Sequence, residues 1–395
     1  MVLPPPRSIP PSPGGQLAPE DVIGRDLDIE RAWQRLDRAS VRLNEPRRLG
    51  KTSVLTKMSS SPPPGWICVR RSFQGVETVE GMVSRALSAI YQHQHLSKRV
   101  RDRVKQFLSS SVLTAEVDGV TLRLTPSVRE EPLVALEAAL HDVAGALGGA
   151  RLLLAWDEVP DMVLDVMRTQ GVDQAAHLLA TLRRFRDEDP DSPLRWLLTG
   201  SIGMHHVLRG IDRGDSLVND LDNLPLGPLT EQWSCWLAEC LFLGAGIEYD
   251  QQALVRLTEA SGGIPYLSHL VVQYARDAAV PTVRGSDVDE LFERAVGDLD
   301  HSHQSTHFLS RVDRYYGKDT AAAEWLLDQL ARQPATRDGL RQAARAAGRR
   351  LPADPKLREL LSWLCQDHYL DKHPTYGTYR WRYEPLRRVW QIRRS

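Results

Sequence analysis

The fold of this chain is decided by the segment Asn44-Glu-Pro-Arg-Arg-Leu-Gly-Lys-Thr-Ser53. Its end, Gly50-Lys51-Thr52, fits the last part of the pattern G-x-x-x-x-G-K-[ST]. In that pattern, loop N–H groups and a helix N-terminus face phosphates, the lysine reaches the β and γ phosphates, and the hydroxyl ligates Mg²⁺. The sequence predicts a strand at residues 41–43 and a helix starting near residue 50, which is the context that the pattern requires.

Glu45 is the position at which this segment departs from the pattern, which has glycine there. Glycine eases the tight turn, and a carboxylate near phosphates opposes their binding unless it points away. We therefore expect turnover of a nucleotide bound at this loop to be slow or impaired. A helix start with a solvated lysine is the alternative interpretation of the segment taken alone.

A second acidic site is predicted where the apolar run Arg151-Leu-Leu-Leu-Ala-Trp-Asp157 ends beside Glu158. The carboxyl end of a buried strand lies at the ligand crevice of an open α/β sheet. We expect Asp157 to hold Mg²⁺ together with Thr52, directly or through water, and Glu158 to polarise the attacking water. A strand followed by an acidic helix cap is the alternative, but the upstream loop around Lys51 favours an ATPase.

A third buried strand ends in Leu197-Leu-Thr-Gly-Ser201. In sites of this class, the strand between the loop strand and the acidic strand presents a polar residue to the γ-phosphate. Thr199 or Ser201 fits that role, while an ordinary strand-to-turn exit is the alternative for each of them.

Strand and helix patterns alternate along the first 229 residues. This alternation predicts an α/β fold with a parallel sheet covered on both faces. The further predicted strands are at 66–73, 151–156 and 194–199, with a hairpin at 115–124. After Leu229 the pattern predicts helices without strands, at 231–243, 249–260, 264–279 and 285–296.

Composition excludes several classes of protein. The 395 residues are 42% hydrophobic and 26% charged, which is typical of two or three globular domains rather than of disordered or fibrous chains. No apolar run is long enough to span a bilayer, and the N-terminus lacks a signal-peptide core. The four scattered cysteines predict reduced thiols in a cytoplasmic protein without a membrane partner.

The net charge of −1 hides an asymmetry. Residues 332–395 carry 15 Lys/Arg and 6 Asp/Glu, a net of +9, so the remaining 331 residues sum to −10. A basic C-terminal module on an acidic body keeps a polyanionic partner open.

Five segments occur in the order typical of one family: Val22-Ile-Gly-Arg-Asp26, Pro46-Arg-Arg-Leu-Gly-Lys-Thr-Ser53, Leu154-Ala-Trp-Asp-Glu158, Leu198-Thr-Gly-Ser201 and Gly262-Gly-Ile-Pro265. Together they resemble the AAA-related STAND P-loop ATPases, in particular the archaeal-ATPase-like branch. Three C-terminal segments resemble that family's terminal winged helix, namely Asp367-His-Tyr-Leu370, Tyr379-Arg-Trp-Arg-Tyr383 and Pro385-Leu-Arg-Arg-Val-Trp390.

The resemblance implies ATP and Mg²⁺ as cofactors, a core sheet of order 5-1-4-3-2, a helical lid and a winged helix. Composition predicts a Pro-rich, extended or disordered tail at 1–20. The resemblance covers the rest of the chain and implies a P-loop ATPase core at 21–230, a helical lid at 231–300, and a linker with a winged helix at 301–395. An arginine finger is not obvious, and Arg209 and Arg213 are the candidates.

The residues expected at the site divide by role. Lys51, Glu158 and Thr199 are the expected catalytic residues, and Thr52 and Asp157 are the expected metal ligands. By the resemblance, Val22, Ile23 and Gly24 would line the adenine pocket, Arg25 would lie beside the nucleotide, and Gly263 and Pro265 would sense it from the lid. The full expected nucleotide-binding set is Val22, Ile23, Gly24, Arg25, Pro46, Arg47, Arg48, Leu49, Gly50, Lys51, Thr52, Ser53, Ser201 and Pro265.

The C-terminal module mixes cationic and aromatic residues. The expected third helix is at 356–366 and the expected wing tip at 373–378. The strand-like alternation of Tyr379, Trp381 and Tyr383 predicts that these rings are core. The cationic residues considered for DNA contact are Arg380, Arg382, Arg387, Arg388, Arg393 and Arg394. Arginines with aromatics suit phosphate contact and base stacking, and they equally suit docking to a protein.

Three functions follow as hypotheses. The first is an ATP-binding and ATP-hydrolysing switch whose lid and winged helix control contact with a protein partner. The second is a DNA-binding AAA-type ATPase similar to origin-recognition or transposition ATPases. The third is a nucleotide-binding scaffold without turnover, which the departure at Glu45 suggests. The sequence leaves the oligomeric state open.

Overall fold

The chain divides into two compact units. The computed structural model describes residues 3–46, 48–94, 96, 98, 102, 131–187, 191–200, 203–212, 214–298 and 312–394. The sheet unit comprises Asp26–Glu45 and Lys51–Leu226, and the helical unit comprises Met1–Arg25, Pro46–Gly50 and Gly227–Ser395. The finer division of the chain into four parts stays a prediction.

A five-stranded parallel sheet forms the centre of the sheet unit. Its order is β2-β3-β4-β1-β5, which is the expected order 5-1-4-3-2 read from the opposite edge. The α/β fold is therefore confirmed. The strands are β1 (Val41–Asn44), β2 (Trp66–Ser72), β3 (Arg151–Asp157), β4 (Leu194–Gly200) and β5 (Asp222–Asn223).

The central strands β3 and β4 are almost wholly buried, as expected for parallel strands with helices between them in sequence, whereas both residues of the edge strand β5 are exposed. Leu43, Leu153 and Leu197 are fully buried in one cluster with Val54 of the helix that follows the loop. The helices are α1 (Asp26–Leu36), α2 (Lys51–Ser60), α3 (Val79–Gln92), α4 (Pro132–Ala146), α5 (Val159–Gln170), α6 (Val172–Asp187) and α7 (Met204–Leu208). The expected hairpin at 115–124 lies outside the described residues.

Four helices open the long C-terminal part of the helical unit: α8 (Glu231–Ala245), α9 (Gln251–Ser261), α10 (Pro265–Asp277) and α11 (Val288–Gly297). The expectation that strands stop after Leu229 is wrong in one respect. Two short strands, β6 (Glu248–Tyr249) and β7 (Thr282–Val283), pair in parallel. Two residues are too few to show a strand period, so the pattern could not reveal them.

The chain ends in three helices, a small antiparallel sheet and a last helix. The elements are α12 (Thr320–Arg332), β8 (Ala335–Thr336), α13 (Arg337–Ala346), α14 (Asp354–Gln366), β9 (Leu370–Lys372), β10 (Thr378–Trp381) and α15 (Glu384–Arg394). Strand β10 pairs with both β8 and β9. Tyr379 and Trp381 are buried as expected, and Trp381 packs against Trp390 with ring centroids 5.6 Å apart. Tyr383 is only half-buried.

The described residues 3–18 of the Pro-rich N-terminal segment form no helix or strand, and two of them are anchored on α8 by hydrogen bonds. The buried Ile9 donates its N–H to the Cys240 carbonyl at 3.0 Å, and the indole of Trp236 donates to the Pro4 carbonyl at 2.6 Å. These bonds satisfy backbone groups in a segment that is too rich in proline for a helix. Composition does not predict these two contacts with α8, and the boundary of the tail at residue 20 stays a prediction.

Within the described part of the chain, no helix combines the length and the apolar character needed to cross a bilayer.

Candidate phosphate-binding site

The phosphate-loop segment follows β1 directly, and α2 begins at Lys51. Lys51 is buried, and its ammonium donates to the carbonyl oxygen of Glu45 at the start of the loop. Gly50 has a φ of +93°, and no described heavy atom lies within 4 Å of the place where a Cβ would stand. The end of the loop is thus left-handed, which glycine permits, and its backbone is open to a close ligand.

Asp157 is the residue on which three elements of the sheet unit converge. It is buried at the carboxyl end of β3, and its Oδ2 accepts a hydrogen bond of 2.8 Å from the Thr52 hydroxyl at the start of α2. Its Oδ1 accepts from the Thr199 hydroxyl on β4 and, at 3.1 Å, from the N–H of Glu158. The structure therefore brings together the residues expected for the metal and the γ-phosphate, and β4 lies between β1 and β3 as expected.

The donor set at this point fits Mg²⁺. The hydroxyl of Thr52 and the carboxylate of Asp157 are hard oxygen ligands, 2.8 Å apart, of the kind that Mg²⁺ takes together with waters and phosphate oxygens. The side-chain groups that meet here suit a hard cation rather than a soft one.

Glu158 adopts a strained backbone at the junction of β3 and α5. Its φ of +60° is left-handed, which is unfavourable for a residue other than glycine and costs about 1–3 kcal/mol. The side chain is half-buried, at the edge where β3 ends. Backbone strain of this kind clusters at functional sites, and here it turns the chain into α5 while leaving Glu158 beside Asp157.

The backbone at Glu45 does not require glycine. Among the described residues of the loop, Arg48 and Gly50 are left-handed, with φ of +77° and +93°, and Glu45 is not. The buried Glu45 carboxylate accepts the N–H of Leu226 at 3.2 Å through Oε1. The departure from the pattern is therefore compatible with the turn, and the carboxylate has a structural partner in the sheet unit.

Arg25, which the resemblance places beside the nucleotide, contacts two backbone carbonyls in the helical unit. It is buried, and it donates to the Leu49 carbonyl at 2.7 Å and to the Gly227 carbonyl at 2.8 Å. A guanidinium between these two segments fixes the backbone of the loop at Leu49. The contacts thus give Arg25 a positioning role, and a direct contact with nucleotide stays a prediction.

The other expected nucleotide-binding residues of the helical unit belong to two segments, 22–24 and 263–265. Val22 is buried, and Ile23 and Gly24 are half-buried. A Cβ at Gly24 would stand 2.7 Å from the Trp233 ring, so this close approach requires glycine. Pro265 is the first residue of α10, a favoured place for proline because its missing N–H is not needed there.

The remaining expected site residues differ in how far they are buried. Pro46 and Leu49 are buried, Ser53 is half-buried, and Thr52 is exposed. Arg209 is exposed just after α7, and its part as an arginine finger stays a prediction. Arg47, Ser201 and Arg213 lie outside the described residues.

Sequence reasoning missed Tyr266, the second residue of α10. Its ring lies under the guanidinium of Arg48, with Cζ of Arg48 4.5 Å from the ring centroid. The signal that could have found it is its place directly after Pro265 of the expected lid motif.

No protein-family profile matches the chain, and no curated protein matches it either. Solved structures do. The Walker-type ATPase of Pyrococcus abyssi is similar with a TM-score of 0.67 at 18% identity, over 95% of this chain and 98% of that one. The ORC2 protein of Aeropyrum pernix, solved in ADPNP-ADP complexes, is similar with a TM-score of 0.52 at 14% identity, over 96% and 95%. At these identities the likeness establishes the fold alone and leaves the activity to be argued from the site.

Proposed function

We propose that the protein binds ATP with Mg²⁺ and hydrolyses it, acting as a nucleotide-dependent switch. The observation that carries this proposal is the convergence of two hydroxyls on the buried carboxylate of Asp157. One hydroxyl belongs to Thr52, which follows Lys51 on α2, and the other to Thr199 on β4. Two hydroxyls from two different elements, next to a glycine-lysine helix start, fit the arrangement that P-loop ATPases use for a metal and a γ-phosphate.

The residues of the sheet unit then divide the work of hydrolysis. The Lys51 ammonium leaves the Glu45 carbonyl for the β and γ phosphate oxygens, where charge-assisted bonds are stronger. Thr52 and Asp157 would hold Mg²⁺, which would supply neutralisation of charge on those phosphates. Thr199 donates to a γ-phosphate oxygen. Glu158 orients a water for attack on the γ-phosphorus and accepts its proton as the bond to the leaving ADP oxygen breaks.

Replacing Asp157 by asparagine tests the metal-dependent part of this proposal. The amide keeps the shape but removes the charge, so we expect ATP binding to lose its dependence on Mg²⁺. Calorimetric titration of ATP into both proteins, with Mg²⁺ and with EDTA, measures that difference. The Asp173→Asn variant, which removes an exposed carboxylate of the same unit, is the control and should behave as the wild type. Equal Mg²⁺ dependence in the wild type and Asp157→Asn would contradict the assignment.

We further propose that the C-terminal part is a winged helix. The order α12, β8, α13, α14, β9, β10, with β10 pairing with β8 and β9, is the support for it. The expected third helix and wing tip correspond to α14 and to the turn between β9 and β10. The domain would then carry the nucleotide state to a partner, and a protein is the partner that its surface favours.

The charges of this module argue against DNA as the partner. Most of the arginines considered for DNA contact are paired within the chain: Arg387 with Glu384, Arg388 with Asp289 at 3.0 Å, Arg394 with Asp328 at 2.8 Å, and Arg382 with Asp371 at 4.0 Å. Arg393 donates to the Asp298 carbonyl at 3.4 Å, and Arg380 is exposed. Paired arginines would have to give up their carboxylates before they could neutralise phosphates, so the net charge of +9 overstates what is available to a polyanion.

We accordingly expect weak binding to duplex DNA with a shallow dependence on salt. A mobility-shift titration of the full chain with ATP, repeated at several salt concentrations, measures it. Release of about one or two counterions is expected, against the 6–10 phosphate contacts of a dedicated DNA-binding protein. Tight binding with a steep salt slope, reduced by Arg380→Ala, would instead support the DNA-binding alternative.

A further inference from the structure

Arg48 holds an unusual backbone conformation inside the loop. Its φ of +77° is left-handed, in a loop where Gly50 already supplies one such position. A residue with a long side chain persists in that region only when its surroundings fix it. The question is therefore what the Arg48 side chain contacts.

The side chain of Arg48 lies on the ring of Tyr266, with its guanidinium carbon 4.5 Å from the ring centroid. Tyr266 is 6% exposed, so the contact is largely shielded from water, where cation–π attraction is strongest. The Tyr266 hydroxyl is buried and forms no hydrogen bond to any described residue. The face of the ring, rather than the hydroxyl, is thus what holds the cation.

The charge of a second cation, Arg393, also acts on the Tyr266 hydroxyl. Burial raises the pKa of Tyr266, and the charges of Arg48 and Arg393 lower it. Arg393 belongs to α15, the last helix of the chain. Tyr266 therefore joins the loop to the first turn of α10 through its contact with Arg48, 4.5 Å from the ring centroid.

We propose that Arg48 is a positioning residue that couples the phosphate loop to α10 through the ring of Tyr266. Phosphates bound at the loop attract the guanidinium more strongly than the ring does, since their bonds to it are charge-assisted. Binding then withdraws Arg48 from Tyr266 and loosens the first turn of α10, next to Pro265. This inference rests on the proposed function, because it needs a nucleotide at the loop.

Hydrogen exchange of the α10 amides, with and without saturating ATP and Mg²⁺, tests the coupling. In the wild type we expect ATP to speed exchange in the first turns of Pro265–Asp277 by about tenfold, the factor expected from losing one shielded cation–π contact. In Arg48→Gly, which keeps the backbone conformation and removes the cation, and in Tyr266→Leu, the ATP-free rate should already be raised and ATP should not change it.

Conservative variants separate this role from a general effect on folding. Arg48→Lys and Tyr266→Phe keep a cation and a ring face, so both should keep the ATP response. In another cation–π contact of the same unit, Cζ of Arg388 lies 4.6 Å from the centroid of the Phe292 ring. Arg388→Met removes that contact and should also keep the ATP response. Circular dichroism shows whether each variant is folded. If Tyr266→Leu is not folded, Arg48→Gly alone is sufficient to test the proposal.

The proposal is overturned if Arg48→Gly keeps the wild-type response of α10 to ATP, or if the wild type binds ATP with no change in these amides. Calorimetry on the same samples shows whether ATP binds at all. Absence of binding would reject the proposed function, whereas binding without coupling would reject only the role of Arg48.

Discussion

Alanine at position 51 should weaken ATP binding by at least about 100-fold, the loss expected from two charge-assisted bonds of about 1.5–3 kcal/mol each. Lys51 opens α2 and is the cation placed at the end of the loop, beside the left-handed Gly50. Its buried ammonium now rests on the Glu45 carbonyl, which is a backbone acceptor that phosphate oxygens can replace. The variant removes this exchange of partners altogether.

Equilibrium titration of ATP with Mg²⁺ into the wild type and Lys51→Ala measures the effect. Lys57→Ala is the matched control, because Lys57 lies on the same helix and its cation is paired with Asp26 at 2.7 Å. Thermal unfolding of each variant shows whether the fold is kept. An ATP affinity of Lys51→Ala within about twofold of the wild type would show that the loop does not hold phosphates, given the size of a charge-assisted bond.

The fold was predictable where the sequence carries a period or a strong pattern. The apolar runs that end at Asp157 and Gly200 predict β3 and β4, because strands buried on both faces have no polar alternation. The strand β5 was not predictable by itself, since two residues, Asp222 and Asn223, contain neither a period nor an apolar side chain. Only the resemblance implied a fifth strand, and the sheet order bears that out.

The candidate site was predictable as far as parallel-sheet geometry reaches. Carboxyl ends of neighbouring parallel strands meet at one edge, so Asp157 and Thr199 had to lie close together once β3 and β4 were adjacent. The hydrogen bonds of Arg25 to Leu49 and Gly227 were not predictable, because they depend on how distant segments pack. The partner of Glu45, the N–H of Leu226, is 181 residues away, and no local rule could supply it.

The ion pairs of the basic C-terminal module show a related limit. Counting charges gave +9 for residues 332–395, but a count does not say which arginines already have carboxylates nearby. Asp289, which pairs with Arg388, lies outside that stretch. Much of the positive charge of residues 332–395 is therefore paired with carboxylates of the chain itself, and the net charge is weaker evidence for a polyanionic partner than the sequence suggests.

Glutamine at position 158 should leave ATP bound and slow its hydrolysis by about 100-fold or more, the usual contribution of a positioned general base. The amide keeps the size of the side chain, and the N–H of residue 158 still reaches Asp157. The left-handed φ of +60° is a property of the backbone that either residue must adopt, so the fold should be kept. Phosphate release in a single turnover, with enzyme in excess over ATP, measures the chemical step.

Glu137→Gln is the matched control, since Glu137 is a carboxylate of the same unit that pairs with Arg184 at 2.6 Å on α6. It should hydrolyse ATP at the wild-type rate. If the wild type binds ATP but releases no phosphate, Glu158→Gln changes nothing, and the chain is a nucleotide-binding scaffold. If the wild type turns over and Glu158→Gln does so equally fast, the attacking water is activated elsewhere, and the strained backbone at Glu158 serves only to start α5.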